Sequence, residues 1–201
     1  CMHYGLTEAA ANIFIEFHES SHKLESLGKP SPNITIRIAA DEGKACKTGE
    51  VGEIWVKGDV NMKSYWNNPG LTNETLQDGW VRTGDLGYKD HDGYIFLKGR
   101  KDDILNIGGE KVSPWEIESV LNSYPEINES AVKAVGAEKD ASSASLKAYI
   151  VPQKSISGID RTKLIEFLRK KLEPYKIPAE FEEIKSLPKT PTGKIQRNRL
   201  T

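Results

Sequence analysis

Two stretches have the spacing of known catalytic motifs, and neither has the context that its chemistry needs. His18-Glu19-Ser20-Ser21-His22 is a literal H-E-x-x-H, a pattern that on a helix turns both histidines to one face for zinc. Its two central serines weaken a helix. No third histidine follows at the longer zincin spacing, and the stretch lies between Gly5 and the Gly28-Lys29-Pro30 turn. A surface loop is therefore expected, without zinc. Thr192-Gly193-Lys194-Ile195 ends like a phosphate-binding P-loop, but Ile195 stands where the magnesium-binding hydroxyl belongs and Pro188 where the first glycine belongs.

Other segments hold carboxylates, cations and glycines for which functional and plain readings compete. Tyr4-Gly5-Leu6-Thr7-Glu8 suits a strand-to-helix turn in which Gly5 and Thr7 cap. Thr83-Gly84-Asp85 carries a lone carboxylate, an acceptor-only group when ionised, and its plain reading is a turn aspartate. Gly99-Arg100-Lys101-Asp102-Asp103 reads as a salt-bridged, solvated turn. Gly108 and Gly109 lack Cβ atoms, so the backbone there approaches a ligand or simply turns. Lys194 sits in a Pro-, Thr- and Gly-rich loop from Pro188 to Arg197, as a mobile cation or a terminal surface lysine.

The elements expected to carry these segments follow from periodicity. Asn33 to Ile38 and Glu53 to Gly58 alternate polar and apolar residues, the period of half-buried strands. Trp80-Val81-Arg82 and Tyr94-Ile95-Phe96-Leu97 add two more, the second preceded by the turn Asp90-His91-Asp92-Gly93. They predict a small antiparallel barrel or sandwich. Beyond residue 99 the pattern lengthens. Ser113-Pro114-Trp115-Glu116 predicts an N-cap, a proline at the first helical position and a capping-box glutamate, with Ile117, Val120, Leu121 and Tyr124 on one face. A second helix is expected from about Asp160, presenting Leu164, Phe167, Leu168 and Leu172. Ala131 to Val135 and Leu146 to Val151 read as strands, the second ended by Pro152. The fold class is α+β: a barrel-like antiparallel β subdomain over 1–99, then a compact domain over 100–201 with a three-stranded sheet and helices.

The 201 residues are enough for one large domain or two small ones. With 37% hydrophobic and 28% charged residues the composition is that of a soluble globular chain. Lys and Arg number 28 against 29 acidic residues, a net charge of -1 that offers nothing to nucleic acid or an anionic membrane. Residues 1–99 carry ten basic and fourteen acidic side chains and residues 100–201 eighteen and fifteen, which sets the expected boundary there. No apolar run has the length of a membrane span. Cys1 and Cys46 are too few for a disulfide framework and suit a reducing cytoplasm. The opening CMHYGLTEAA, without a leader pattern or initiator Met, is expected to be an internal stretch of a longer protein.

The segments Tyr4 to Glu8, Thr83 to Asp85, Gly99 to Asp103 and Pro188 to Arg197 occur in that order. Gly108-Gly109-Glu110-Lys111-Val112 followed by Glu116-Ile117-Glu118 lies among them. Jointly they resemble the adenylate-forming superfamily of acyl-CoA synthetases, adenylation domains and luciferases, over essentially the whole chain. The resemblance implies the last third or more of such an enzyme, without the upstream phosphate loop or much of the acyl pocket. The missing N-terminal part is then a partner, and the chain alone is expected to be inactive.

By the same resemblance the ligands are a small carboxylic acid, ATP with Mg²⁺, and coenzyme A. Gly5 belongs to the nucleotide site, the catalytic Thr7 contacts phosphate, the catalytic Glu8 holds Mg²⁺ and Tyr4 flanks the adenine. Carboxylate oxygens suit that hard cation. Asp85 accepts both ribose hydroxyls, and Arg100 approaches the ribose and the adenylate. Asp102 is the hinge, Gly108 and Gly109 border the pantetheine arm, and Lys194 bridges the carboxylate and the α-phosphate. Two alternatives remain at this point: an amino-acid or aryl-acid adenylation domain that loads a carrier protein, and a non-catalytic nucleotide- or partner-binding module.

Overall fold

In a computed structural model of the chain the described residues are 4–9, 13–15, 23, 26–41, 43–136, 144–154, 158–191 and 193–200. The H-E-x-x-H stretch and Thr192 lie outside them. The chain divides into two compact units, Cys1–Asp102 and Asp103–Thr201.

The first unit is an antiparallel half-barrel. Its elements are β1 (Phe14–Ile15), β2 (Ser26–Pro30), β3 (Ile34–Ala39), β4 (Gly52–Gly58), the short helix α1 (Pro69–Thr75), β5 (Leu76–Gln77), β6 (Trp80–Lys89) and β7 (Ile95–Arg100). The strands order as β1-β2-β7-β6-β4-β3, with β5 beside β6, so the sheet stays open between β1 and β3. Ile38, Ile54, Val56 and Ile95 close its inner face with Ala9, Ile13 and Leu27, as the alternation in β3 and β4 predicts. β4 departs from that alternation because Glu53 and Trp55 on its other face are also buried. Arg82 covers both, its guanidinium lying 5.5 Å from the Trp55 ring centre and 3.3 Å from Glu53 Oε2.

β6 is longer than Trp80-Val81-Arg82, and it absorbs Thr83-Gly84-Asp85, so the turn reading of that segment is corrected. The register explains how. Glu53 pairs with Leu86 and Trp55 with Arg82, so three residues of β6 lie opposite Ile54 alone. Such a bulge keeps a segment in the sheet while re-aiming its side chains. β7 likewise runs through Gly99 and Arg100 because Arg100 pairs with Asp85 across the ladder.

The second unit begins with a ribbon of β8 (Leu105–Ile107) and β9 (Glu110–Val112), followed by α2 (Pro114–Asn122), β10 (Ile127–Val135), β11 (Ser145–Pro152), α3 (Arg161–Arg169) and β12 (Glu180–Glu183). One-turn helices lie at Pro174–Lys176 and Arg197–Arg199. β10 and β11 pair antiparallel and β12 adds in parallel, giving the three-stranded sheet. Ile117 and Leu121 of α2 and Leu164 and Leu168 of α3 pack one face with Val132, Leu146 and Ile150. Ala131, Tyr149 and Val151 pack the other against Leu187 and Leu200.

Asp160 caps α3, its carboxylate accepting from the Thr162 and Lys163 amides. The expected capping box at α2 does not form. Ser113 is at the N-cap without a side-chain capping bond. The Glu116 amide instead donates to the Ser113 carbonyl (3.2 Å), which leaves the Glu116 carboxylate to pair with Lys176 at 2.9 Å.

Candidate active site

The bulge in β6 gathers the polar groups of the first unit. The Thr83 hydroxyl donates to the Ile54 carbonyl (2.8 Å) and accepts from the Asp85 amide (3.0 Å), which fixes the bulge from within. Gly84 between them has φ +71°, and a Cβ there would come within 2.9 Å of Arg100 Nη2. Torsion therefore favours glycine, and a side chain there would displace the Arg100 guanidinium. The Gly84 amide donates to Glu53 Oε1 (3.2 Å), and its carbonyl accepts from the Lys101 amide (2.7 Å). Glu53, buried beneath the bulge, also faces Arg82 at 3.3 Å and Lys101 Nζ at 3.6 Å. Sequence reasoning missed Glu53. Its only signal is an acidic residue directly before the apolar run Ile54-Trp55-Val56.

Asp85 projects from this support into a three-way contact. Its Oδ1 lies 3.2 Å from Arg100 Nη1, and its Oδ2 accepts from the Tyr4 hydroxyl. Burial chiefly, and the adjoining Asp85 charge, push the Tyr4 phenol well above its ordinary value, so it stays protonated and donating. An ionised carboxylate has about four lone-pair sites, so Asp85 can accept further hydroxyls. Arg100 Nη2 also faces the exposed Asp102 at 3.8 Å. The structure thus brings Tyr4, Asp85, Arg100 and Asp102 into one chain of contacts.

Gly5 is exposed, and Thr7 and Glu8 occupy the turn between the bridged residues Leu6 and Ala9, with Thr7 exposed. Glu8 Oε1 accepts from the Tyr65 hydroxyl at 2.5 Å, and its backbone carbonyl accepts from the Met62 amide at 2.7 Å. Among the described residues no three His, Cys, Asp or Glu side chains gather into a metal cage. A single carboxylate fits Mg²⁺ held mainly by phosphate and water oxygens. It does not fit a fully protein-bound ion.

In the second unit Gly108 and Gly109 form the two-residue turn between β8 and β9, with φ +60° and +91° and Ile107 paired to Glu110. Positive φ at both positions is the type I′ hairpin requirement. A Cβ at either meets nothing within 4 Å. Torsion alone selects glycine, and the tip is open.

Lys194 is exposed on a loop cinched at its base. Thr190 and Lys194 exchange the bonds Thr190 N to Lys194 O (2.8 Å) and Lys194 N to Thr190 Oγ1 (3.1 Å). Lys189 bridges to Ile195 and pairs with Glu129 at 2.7 Å.

Residues 1–66 match the AMP-binding enzyme family and residues 116–194 the AMP-binding enzyme C-terminal domain. The chain is 39% identical over 198 residues to a 2-succinylbenzoate–CoA ligase of Bacillus subtilis (strain 168), covering 98% of this chain and 40% of that protein. It is 37% identical to a fatty acid–[acyl-carrier-protein] ligase, ScoC, of Streptomyces coeruleorubidus, covering 98% of this chain and 38% of that protein. The solved structure of the B. subtilis o-succinylbenzoate CoA synthetase with its acyl-adenylate superposes with a TM-score of 0.87 at 36% identity, over 99% of this chain and 40% of that one. The chain thus spans about 40% of the length of the relatives it matches. With both families matched in order along one chain, and the half-barrel and three-stranded domain shared with that structure, the chain belongs to the AMP-binding, adenylate-forming enzyme family as its C-terminal portion.

Proposed function

We propose that this chain is the C-terminal part of an AMP-forming acid–thiol ligase, an acyl-CoA synthetase in its whole form. In the first half-reaction a carboxylate oxygen attacks the α-phosphorus of ATP, and the bond to pyrophosphate breaks. In the second a thiolate attacks the acyl carbon, and AMP leaves. The observation that carries this reading is the Asp85 carboxylate, lifted by the β6 bulge and held between Tyr4 and Arg100.

Asp85 receives the ribose hydroxyls, Tyr4 lies along the base, and Arg100 supplies charge near the ribose and the adenylate. Gly5 and Thr7 offer backbone and hydroxyl donors to phosphate. Glu8 would hold the Mg²⁺ that accompanies ATP, which when bound offsets phosphate charge. Lys194 is the positioned cation for the first step, where charge develops between the acid and the α-phosphate. Asp102 is the point at which the backbone rotates to withdraw Lys194 and present the Gly108-Gly109 turn to CoA, with the boundary between the two domains beside it. Lid movement of this kind also excludes water that would hydrolyse the adenylate. Two cysteines fit a reducing cytoplasm, and no helix among the described residues is long and apolar enough to cross a membrane.

The second reading is a carrier-protein thiol as acceptor in place of CoA, favoured by the likeness to an acyl-carrier-protein ligase. The test is acid-dependent release of pyrophosphate over a panel of carboxylic acids, followed by transfer to CoA or to a carrier protein. The full-length enzyme is expected to catalyse both steps with CoA, and the 201-residue chain alone neither. Absence of acid-dependent pyrophosphate release from the full-length enzyme with every acid tried, or release by the 201-residue chain alone, overturns the reading.

A further inference from the structure

We infer that Glu118 is a positioning residue for Lys194, acting through Arg197. Glu118 lies on α2, and only 7% of its surface is exposed. Its Oε1 accepts from the Val132 amide (2.7 Å) and from Arg197 Nη2 (2.9 Å), and its Oε2 accepts from the same Nη2 at 2.7 Å. Arg197 Nη1 reaches Asp103 Oδ2 at 3.2 Å. One buried carboxylate and one guanidinium thus tie together four pieces of the second unit: its first residue, helix α2, strand β10 and the C-terminal turn Arg197–Arg199.

This is an expensive way to stabilise a fold, because taking the Glu118 carboxylate and most of the Arg197 side chain out of water gives back little net energy, and an apolar pair of similar volume often does as well. What an ion pair adds is a fixed geometry, and its position says what is being fixed. Arg197 follows Lys194 by three residues, a span of roughly 10 Å at full extension. The guanidinium therefore pins one foot of the lysine loop to the rigid α2–β10 packing. The other foot, Lys189 with Glu129, is an exposed pair, of the kind that contributes little. The two feet differ in burial, and the buried one sets where Lys194 can reach. Pinning Asp103 with the same guanidinium makes the entry of the unit and the lysine loop move as one body.

The inference rests on the ligase reading, and its test separates the two. In the full-length enzyme Glu118→Gln keeps an acceptor for the Val132 amide but removes the charge that holds Arg197. Adenylate formation is expected to slow by about 10- to 100-fold, the scale of a small misplacement of a reacting group. Conversion of supplied acyl-adenylate and CoA should stay within about twofold of wild type, because Lys194 is not used there. In a Lys194→Ala background Glu118→Gln should add less than about twofold, since two changes acting through one group do not multiply. Glu129→Gln, at the exposed foot, should leave both rates near wild type.

A merely structural role would slow both half-reactions together, or multiply with Lys194→Ala, and either result overturns the inference. So does wild-type adenylation by folded Glu118→Gln alongside a slow Lys194→Ala. If Lys194→Ala itself adenylates at the wild-type rate, the ligase roles fail with it. Should Glu118→Gln not fold, Arg197→Lys keeps one charge but loses the forked geometry. It should show the same split between half-reactions, and equal rates to wild type would again refute the clamp.

Discussion

Replacing Gly84 by alanine tests whether the bulge beneath Asp85 is built as described. Gly84 has φ +71°, a left-handed torsion that an L-residue adopts at a cost of about 1–2 kcal/mol. The new Cβ would also sit 2.9 Å from Arg100 Nη2. The Arg100 side chain is half exposed, so it can swing aside. The loss is then its 3.2 Å contact with Asp85, a pair of about 0–1 kcal/mol in that setting. Together the change should destabilise the first unit by about 1–3 kcal/mol, or roughly 4–8 °C in Tm per kcal/mol for a unit of this size. Denaturant unfolding of wild type, Gly84→Ala, Arg100→Ala and the double variant separates the two sources. With Arg100 truncated, Gly84→Ala should still cost about 1–2 kcal/mol, because the torsion remains. A cost that vanishes in that background, or a Gly84→Ala variant within about 0.5 kcal/mol of wild type, refutes the torsional argument.

Two further outcomes follow from local geometry. The Asp160 carboxylate is held below the ordinary range chiefly by its bond from the Lys163 amide, so its contribution is present at neutral pH and fades as the pH falls through that lowered value. Asp160→Ala should therefore be less stable than wild type at pH 7, with the difference closing in acid. A gap in the unfolding midpoint that does not change with pH counts against the cap. At the β8–β9 turn, Gly109→Val should cost about 1–2 kcal/mol in urea unfolding from torsion alone. Gly109→Asn should cost clearly less, since Asn tolerates left-handed backbone, and equal losses would point to packing instead.

Features set by neighbouring residues were legible in the sequence. The alternation Ile34, Ile36, Ile38 announces β3, and Asp160 announces the start of α3, because both depend on contacts a few residues apart. The order of the short segments was enough to suggest the family. The bulge was not legible, since it arises from the offset between Glu53 opposite Leu86 and Trp55 opposite Arg82, a register visible only once the strands pair. The same holds for the contact between Tyr4 and Asp85, which are 81 residues apart. The capping box at Ser113 does not form, and the Glu116 carboxylate pairs instead with Lys176, distant in sequence. Helix α1 has no buried residues and so no apolar stripe by which to find it. Glu118 and Arg197 stood in the motifs from the start, but nothing in their spacing says that they meet.

The central claim, that this chain brings Lys194 to adenylate formation and takes it away for thioester formation, is tested most directly by single-turnover rates of each half-reaction in full-length wild type and Lys194→Ala. Loss of one positioned electrostatic group should slow adenylate formation by roughly 10² to 10³-fold, while supplied acyl-adenylate and CoA react at nearly the wild-type rate. Equal slowing of both steps in a folded variant, or an unchanged first step, would contradict it.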